Sequence, residues 1–251
     1  MISGSGRFAP LVLGPRELSR ILVSFSEGRA ALSDALVREI ADLWQREAGA
    51  GKRGLFDGRL AGLAGWYDDG QVLRLELVPV RYRELWYVHV LAGTKPVPPP
   101  AVIPRALGVS AVVMRGEEIV LMLRTRSVGE WPEKLDVFGG HIDWPPKGMP
   151  VRPEEAALAE LREELGDAGR EAALECCVGL AEVVRTRKPE IVFLARLSPD
   201  VPLSLEQTND EVERLTRVPV TDLGTFLEKR WEELTPSAEA SLWLFAASLN
   251  R

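Results

Sequence analysis

Glu160, Glu163 and Glu164 recur at i, i+3 and i+4, a spacing that gathers them on one face of a helix. Like charges so placed repel, each pair costing about 0.2–0.5 kcal/mol on an exposed helix. A helix shaped for stability alone more often alternates acid with base. A bound divalent cation removes the repulsion, and a cluster of carboxylate oxygens is what Mg²⁺ or Mn²⁺ takes as ligands. Upstream, Gly139-Gly140 lets the backbone adopt positive φ or lie close against another group. That pair could supply the Gly139 carbonyl and room for a phosphate. The competing reading is a solvated Glu-rich surface helix. The apolar–polar alternation of residues 135–138 ahead of the glycines favours a strand–loop–helix unit instead.

The elements that must hold these groups are legible nearby. Pro153 suits the first turn of a helix over 153–165, Glu154 and Glu155 favour its positive end, and Gly166 is placed to stop it. Leu158, Leu161 and Leu165 make its buried stripe. Arg124 and Arg126 close a strand over 119–124 and are either bidentate phosphate contacts or surface charges. Arg185, Arg187 and Lys188 read as a polar hairpin tip or as further phosphate contacts. His141 follows the glycine pair and is a substrate contact or a structural residue. Trp131 stacks on a base or sugar, or covers the core. No Ser/His/Asp or Cys/His set marks a covalent nucleophile, and no phosphate loop ending in Lys-Ser/Thr is present.

The stretch resembles the signature of the Nudix hydrolase superfamily. Its metal-binding half, Arg-Glu-apolar-x-Glu-Glu-x-Gly, is met at Glu160, Leu161, Glu163, Glu164 and Gly166, with Ala159 at the Arg position. Arg162 and Arg152 are candidate substitutes for that Arg. In the first half Gly139-Gly140 match, the loop after Asp143 is longer than usual, and Val151 stands where a glutamate is expected. A narrower similarity joins Leu55-Phe56-Asp57, Leu73-Arg74-Leu75-Glu76-Leu77 with Arg81-Tyr82-Arg83, and Leu107-Gly108-Val109. It continues through Leu135-Asp136-Val137, Gly139-Gly140-His141 and Thr235-Pro236-Ser237-Ala238. These words recur in that order in the group resembling UDP-glucose/UDP-galactose diphosphatases, whose box is also atypical.

The resemblance implies an α/β fold, a Nudix-type α/β/α sandwich with a mixed sheet. It implies a metal-dependent diphosphatase acting on a nucleoside diphosphate linked to another moiety, in the subgroup a UDP-sugar cut to UMP and sugar phosphate. Glu160, Glu163, Glu164 and the Gly139 carbonyl would hold Mg²⁺ or Mn²⁺. One of the glutamates, or Glu211 on the acidic loop with Glu206 and Asp210, would take the water's proton. Arg124, Arg126, His141 and Arg187 are the expected substrate contacts. Rival substrates are an ADP-sugar, a dinucleotide or a capped RNA. In another class, the partial box fits a domain that binds nucleotides or a protein partner without cleaving them. The three surviving carboxylates favour catalysis.

Composition bounds the rest. The chain has 251 residues, 46% hydrophobic and 27% charged, as in an ordinary globular protein. Its net charge of −6 argues against nucleic-acid or anionic-membrane binding. The adjacent Cys176 and Cys177 read as reduced thiols. With no leader-like start and no long apolar run, they point to the cytoplasm.

The sequence divides into an N-terminal α+β unit (1–95), a Pro-rich linker (96–101) and a Nudix domain (102–251). In the first unit the patterns predict helices over 15–23 and 34–47, and strands over 59–67 and 72–80 joined by Asp68-Asp69-Gly70. Residues 82–91 begin as a helix. The second unit carries strands over 109–114, 119–124, 135–138, 174–186, 191–197 and 212–218, and helices over 222–232 and 237–249. The first unit covers the substrate pocket or builds a homodimer.

Overall fold

The computed structural model describes residues 5–29, 31–49, 57–146, 149–150 and 152–249. In chain order these form β1 (Phe8–Arg16), β2 (Ile21–Phe25), α1 (Asp34–Gly49), β3 (Arg59–Asp68), β4 (Leu73–Arg81) and α2 (Tyr82–Leu91). Next come β5 (Arg105–Ala106), β6 (Gly108–Arg115), β7 (Glu118–Arg124), β8 (Leu135–Asp136), β9 (Phe138–His141) and α3 (Pro153–Leu165). The chain continues with α4 (Asp167–Arg170), β10 (Ala173–Val183), β11 (Lys188–Leu197), β12 (Val212–Pro219), α5 (Leu223–Arg230) and α6 (Pro236–Ser248).

The apolar runs of β6 and β7 are buried on both sides, as continuous rather than alternating apolar patterning requires. Val112, Met114, Ile119 and Leu121 face α6 through Leu242 and Phe245. Their alternates Ala111, Val113, Val120 and Met122 face α3 through Leu161 and Leu165. The result is an α/β/α sandwich around an eight-stranded mixed sheet, its main path β1-β10-β11-β6-β7-β12. In it, β11 runs parallel to β6.

A fork in this sheet positions the site. β6 and β7 pair only near their shared turn, at Val113–Arg115 and Glu118–Val120. Beyond that they diverge. β9 fills the gap against Gly108–Ala111, and β8 lies against Met122 and Leu123. The strand expected over 135–138 is therefore two strands, changing partner at Val137.

A second sheet, β2-β4-β3-β5, packs beside it. Its β3–β4 turn forms as the sequence predicts: Gly70 takes φ +87°, and Asp69 accepts from the Gln71 and Val72 amides at 2.9 and 2.8 Å. The chain leaving β9 ties the sheets together, Ile142 accepting from Ala61 N at 2.8 Å and Trp144 N donating to Arg59 at 2.9 Å.

Two expectations are corrected. Residues 15–23 are not an α-helix: the edge strand β1 runs through Arg16 against β10, a 3-10 turn spans Leu18–Arg20, and β2 pairs with β4, so cross-strand partners outweigh the local pattern. The helix over 222–232 is shorter, α5 being flanked by 3-10 turns at Val220–Asp222 and Trp231–Glu233. Leu55, Phe56 and Val151 lie outside the described residues. No helix of the described residues is long and apolar enough to cross a membrane. Cys176 and Cys177 are free, Cys177 fully buried.

Candidate metal and diphosphate site

Burial of Ala157, Leu161 and Leu165 fixes the rotation of α3 and turns its next face toward β9. Glu164, 2% exposed, accepts the Gly139 N–H at 2.8 Å. Glu160 rests on the other glycine: a Cβ at Gly140 would lie 2.2 Å from its carboxylate oxygen. Gly139 takes φ +154°, and a Cβ there would stand 2.1 Å from the Val109 carbonyl oxygen. Neither position admits a side chain without moving the acids or the strand. Glu163, one turn from Glu160, is exposed at the cavity mouth.

The acids are electrostatically unsatisfied. Burial, and then the charges of Glu163 and Glu211, push Glu160 up to about 7. Burial and the neighbouring Glu160 raise Glu164 well above the ordinary carboxylate range. Among the described residues none of the three has a salt-bridge partner, nearby bases being engaged elsewhere: Arg124 with Asp136 and Glu211, Arg152 with Glu155. No three His, Cys, Asp or Glu side chains among the described residues stand as a ready-made coordination cage. The donor chemistry fits a hard divalent cation all the same, being oxygen-only, anionic and short of positive charge.

These groups edge a cavity of about 530 Å³. On its other wall the charges are paired. Glu190 accepts from Ser110 Oγ at 2.7 Å and Ser237 Oγ at 3.2 Å, and Lys188 Nζ approaches it at 3.3 Å. Gly108 leaves room for this carboxylate, since a Cβ there would sit 2.3 Å from it. Asp136 receives Thr235 Oγ1 at 2.7 Å and lies 3.3 Å from Arg124. Burial alone would lower Arg124, yet Asp136 and Glu211 hold it above its ordinary value. His141 is kept neutral, lowered to about 3 by burial and by Lys188.

Of the residues singled out in the sequence, Gly139, Glu160, Glu163, Glu164, Arg124, His141, Glu211 and Trp131 line this one cavity. Arg126 and Arg187 do not: Arg126 is extended on the surface against Glu133 at 2.7 Å, and Arg187 at the hairpin tip pairs with Glu182. Arg152 and Arg162 also lie off the cavity, so neither replaces the Arg missing at Ala159; the field of Arg124 reaches Glu164 instead. Pattern reading missed Glu130, Glu190 and Ser110, and treated Lys188 as part of a tip. The signal present was the order of short words. Tyr82, Asp136, His141, Thr235 and Ser237, drawn from four of them, meet in the cavity.

A family model described as the NUDIX domain matches residues 104–240. The chain belongs to the NUDIX family. The match takes in the fork, the glycine corner, α3 and the Glu190 wall, and leaves the second sheet's first strands and α1–α2 outside. The fold and family are those of Nudix hydrolases. Among solved structures, the chain is similar to the MutT protein from Methanosarcina mazei Go1, with 17% identity over 59% of this chain and 97% of that one, TM-score 0.45. A C. elegans Ap4A hydrolase binary complex shares 18% identity over 57% and 98%, TM-score 0.40. The NUDIX domain of Shewanella oneidensis NrtR complexed with ADP ribose shares 15% over 63% and 96%, TM-score 0.39. No curated protein gives a significant match.

Proposed function

We propose that this Nudix hydrolase is a metal-dependent diphosphatase for a nucleoside diphosphate joined to a sugar, most specifically a UDP-sugar giving UMP and sugar phosphate. The observation that carries the reading is the glycine corner. There Glu160 and Glu164 are pressed by sequence-mandated glycines into mutual repulsion, with no basic partner among the described residues. Glu160, Glu163 and Glu164, with the Gly139 carbonyl, would hold Mg²⁺ or Mn²⁺. A divalent ion bound there would neutralise the diphosphate and lower the pKa of a coordinated water.

The chain's own groups do the rest. Glu211, at the rim and half exposed, or one of the helix glutamates, receives the water's proton. Arg124, fixed by Asp136, faces the diphosphate, and His141 contacts the substrate as a neutral imidazole. Arg126 and Arg187 would meet only parts of a ligand that extend past the cavity. The subgroup reading is supported by the convergence of its sequence words on this cavity. The same reading keeps residues 1–95 and 102–251 as two units joined by 96–101, the first lending Tyr82 to the pocket wall; its other role would be a homodimer interface. The working compartment we infer is the cytoplasm.

The test is product analysis with Mg²⁺ and Mn²⁺ over UDP-glucose, UDP-galactose, an ADP-sugar, a dinucleotide and capped RNA. UMP and sugar phosphate should dominate. Preference for another member overturns the substrate, and cleavage of none overturns the diphosphatase.

A further inference from the structure

The loop between β7 and β8 turns an acid inward. Arg124 Nε donates to the Glu130 carbonyl at 3.2 Å, and Arg124 N and O pair with Lys134 and Glu133 at 2.9 and 3.2 Å. Gly129 lies against the Trp86 ring of α2. Trp131 and Glu133 take φ of +50° and +59°, conformations that non-glycine residues hold only when their surroundings impose them.

The Glu130 side chain is 19% exposed, and the basic group within 4 Å of it, among the described residues, is His89 at 3.8 Å. That is beyond hydrogen-bond reach. Burial would raise this carboxyl, but the surrounding positive charge, Lys188 foremost and Arg124 with it, holds it below the ordinary range. Lys188 and Arg124 direct their own short contacts elsewhere, to Glu190 and Asp136. Among the described residues no hydrogen bond reaches the Glu130 carboxylate, which leaves an ionised acceptor facing the cavity.

Two more polar groups share the cavity. His141 Nε2 is enclosed without a hydrogen-bond partner among the described residues, and the Tyr82 ring meets the His141 ring edge-on at 6.4 Å. An anionic group is disfavoured beside them, because eight carboxyl side chains line the cavity against Arg124 and Lys188. A neutral group rich in O–H donors satisfies the acceptor and adds no charge.

Resting on the nucleotide-sugar reading, we propose that Glu130, with Tyr82 and His141, forms the sugar-binding pole of the cavity, its carboxylate accepting from sugar hydroxyls. The test is calorimetry with Mg²⁺ and two non-cleavable ligands, the methylene-bridged analogues of UDP-glucose and of UDP. Glu130→Gln should weaken the sugar-bearing analogue about tenfold and leave the UDP analogue within about twofold, the loss of one charge-assisted hydrogen bond. Tyr82→Phe should show the same selectivity at smaller size. Retained UDP-analogue affinity certifies the fold.

Equal weakening of both ligands, no weakening, tighter binding of both, or no sugar-analogue binding by the unmutated protein each overturns the proposal. Selective loss in a protein that cleaves no UDP-sugar would instead sink the hydrolase substrate and keep the sugar pole. Cleavage with unselective loss does the reverse.

Discussion

On the cavity wall built by β7, β8 and β11, buried charge is matched locally: Lys188 and two serine hydroxyls serve Glu190, while Arg124 and Thr235 serve Asp136. On the wall built by α3 and β9, Glu160 and Glu164 push against each other and against Glu163, offset by backbone N–H groups of His141 and Gly139 and by the more distant charge of Arg124. The two walls are one cavity apart and made of the same residue types. Matched charges hold a shape, since breaking a buried pair strands its partner. Unmatched charges of one sign are held by the fold against their own preference and await something of opposite sign. On the proposed reading, the first wall positions and the second carries the chemistry.

That assignment breaks most sharply on Glu163. It is exposed, so Glu163→Gln should leave the unfolding free energy within about 0.5 kcal/mol while reducing turnover at least about a hundredfold. Parallel denaturation and product assays decide this, and near-normal turnover would move the chemistry elsewhere.

The paired wall should behave oppositely. Lys188→Met strands Glu190 and should cost about 3–5 kcal/mol in urea unfolding, with part recovered in Lys188→Met/Glu190→Gln. A loss under about 1 kcal/mol would mean that this wall is not structural.

A smaller effect separates the walls by pH. A carboxyl raised from 4.5 to about 7 on folding makes the folded state hold a proton that the unfolded chain has released. Its stability contribution is therefore greatest below about 4.5 and is lost as pH rises through 7. In EDTA, Glu160→Gln should gain stability over the parent between pH 5 and 8, by about 2–3 kcal/mol. Comparing the pair cancels His141, whose lowered pKa has the opposite sign: its contribution is lost as pH falls from 6.5 toward 3. A flat difference across that range would show that Glu160 is not strained by its neighbours.

The smallest effect is expected outside both walls. Arg126→Ala and Arg187→Ala, exposed arginines paired with the exposed Glu133 and the half-buried Glu182, should shift stability by about 0.5 kcal/mol and about 1 kcal/mol or less and kcat/KM less than twofold.

The helix that carries the acids was legible because local rules suffice for it. Pro153 starts it, Gly166 ends it at φ +59°, and Leu161 and Leu165 are its buried stripe, as their spacing predicts. The β3–β4 hairpin was legible for the same reason. The failures are non-local. Residues 15–23 carry a pattern either structure could use, and only strands β10 and β4, distant in sequence, decide it. The break of 135–138 into two strands depends on the divergence of β6 from β7. Glu130 and Glu190 gave no signal because a single acid in a loop or strand looks like any surface charge until the fold buries it.

The central claim is that the charge shortage on α3 is made good by a divalent ion, and Mn²⁺ titration followed by electron paramagnetic resonance tests it most directly. The unmutated protein should bind Mn²⁺, Mg²⁺ should compete, and Glu160→Gln should weaken Mn²⁺ binding by about tenfold or more. Equal Mn²⁺ affinity in parent and variant would contradict the account.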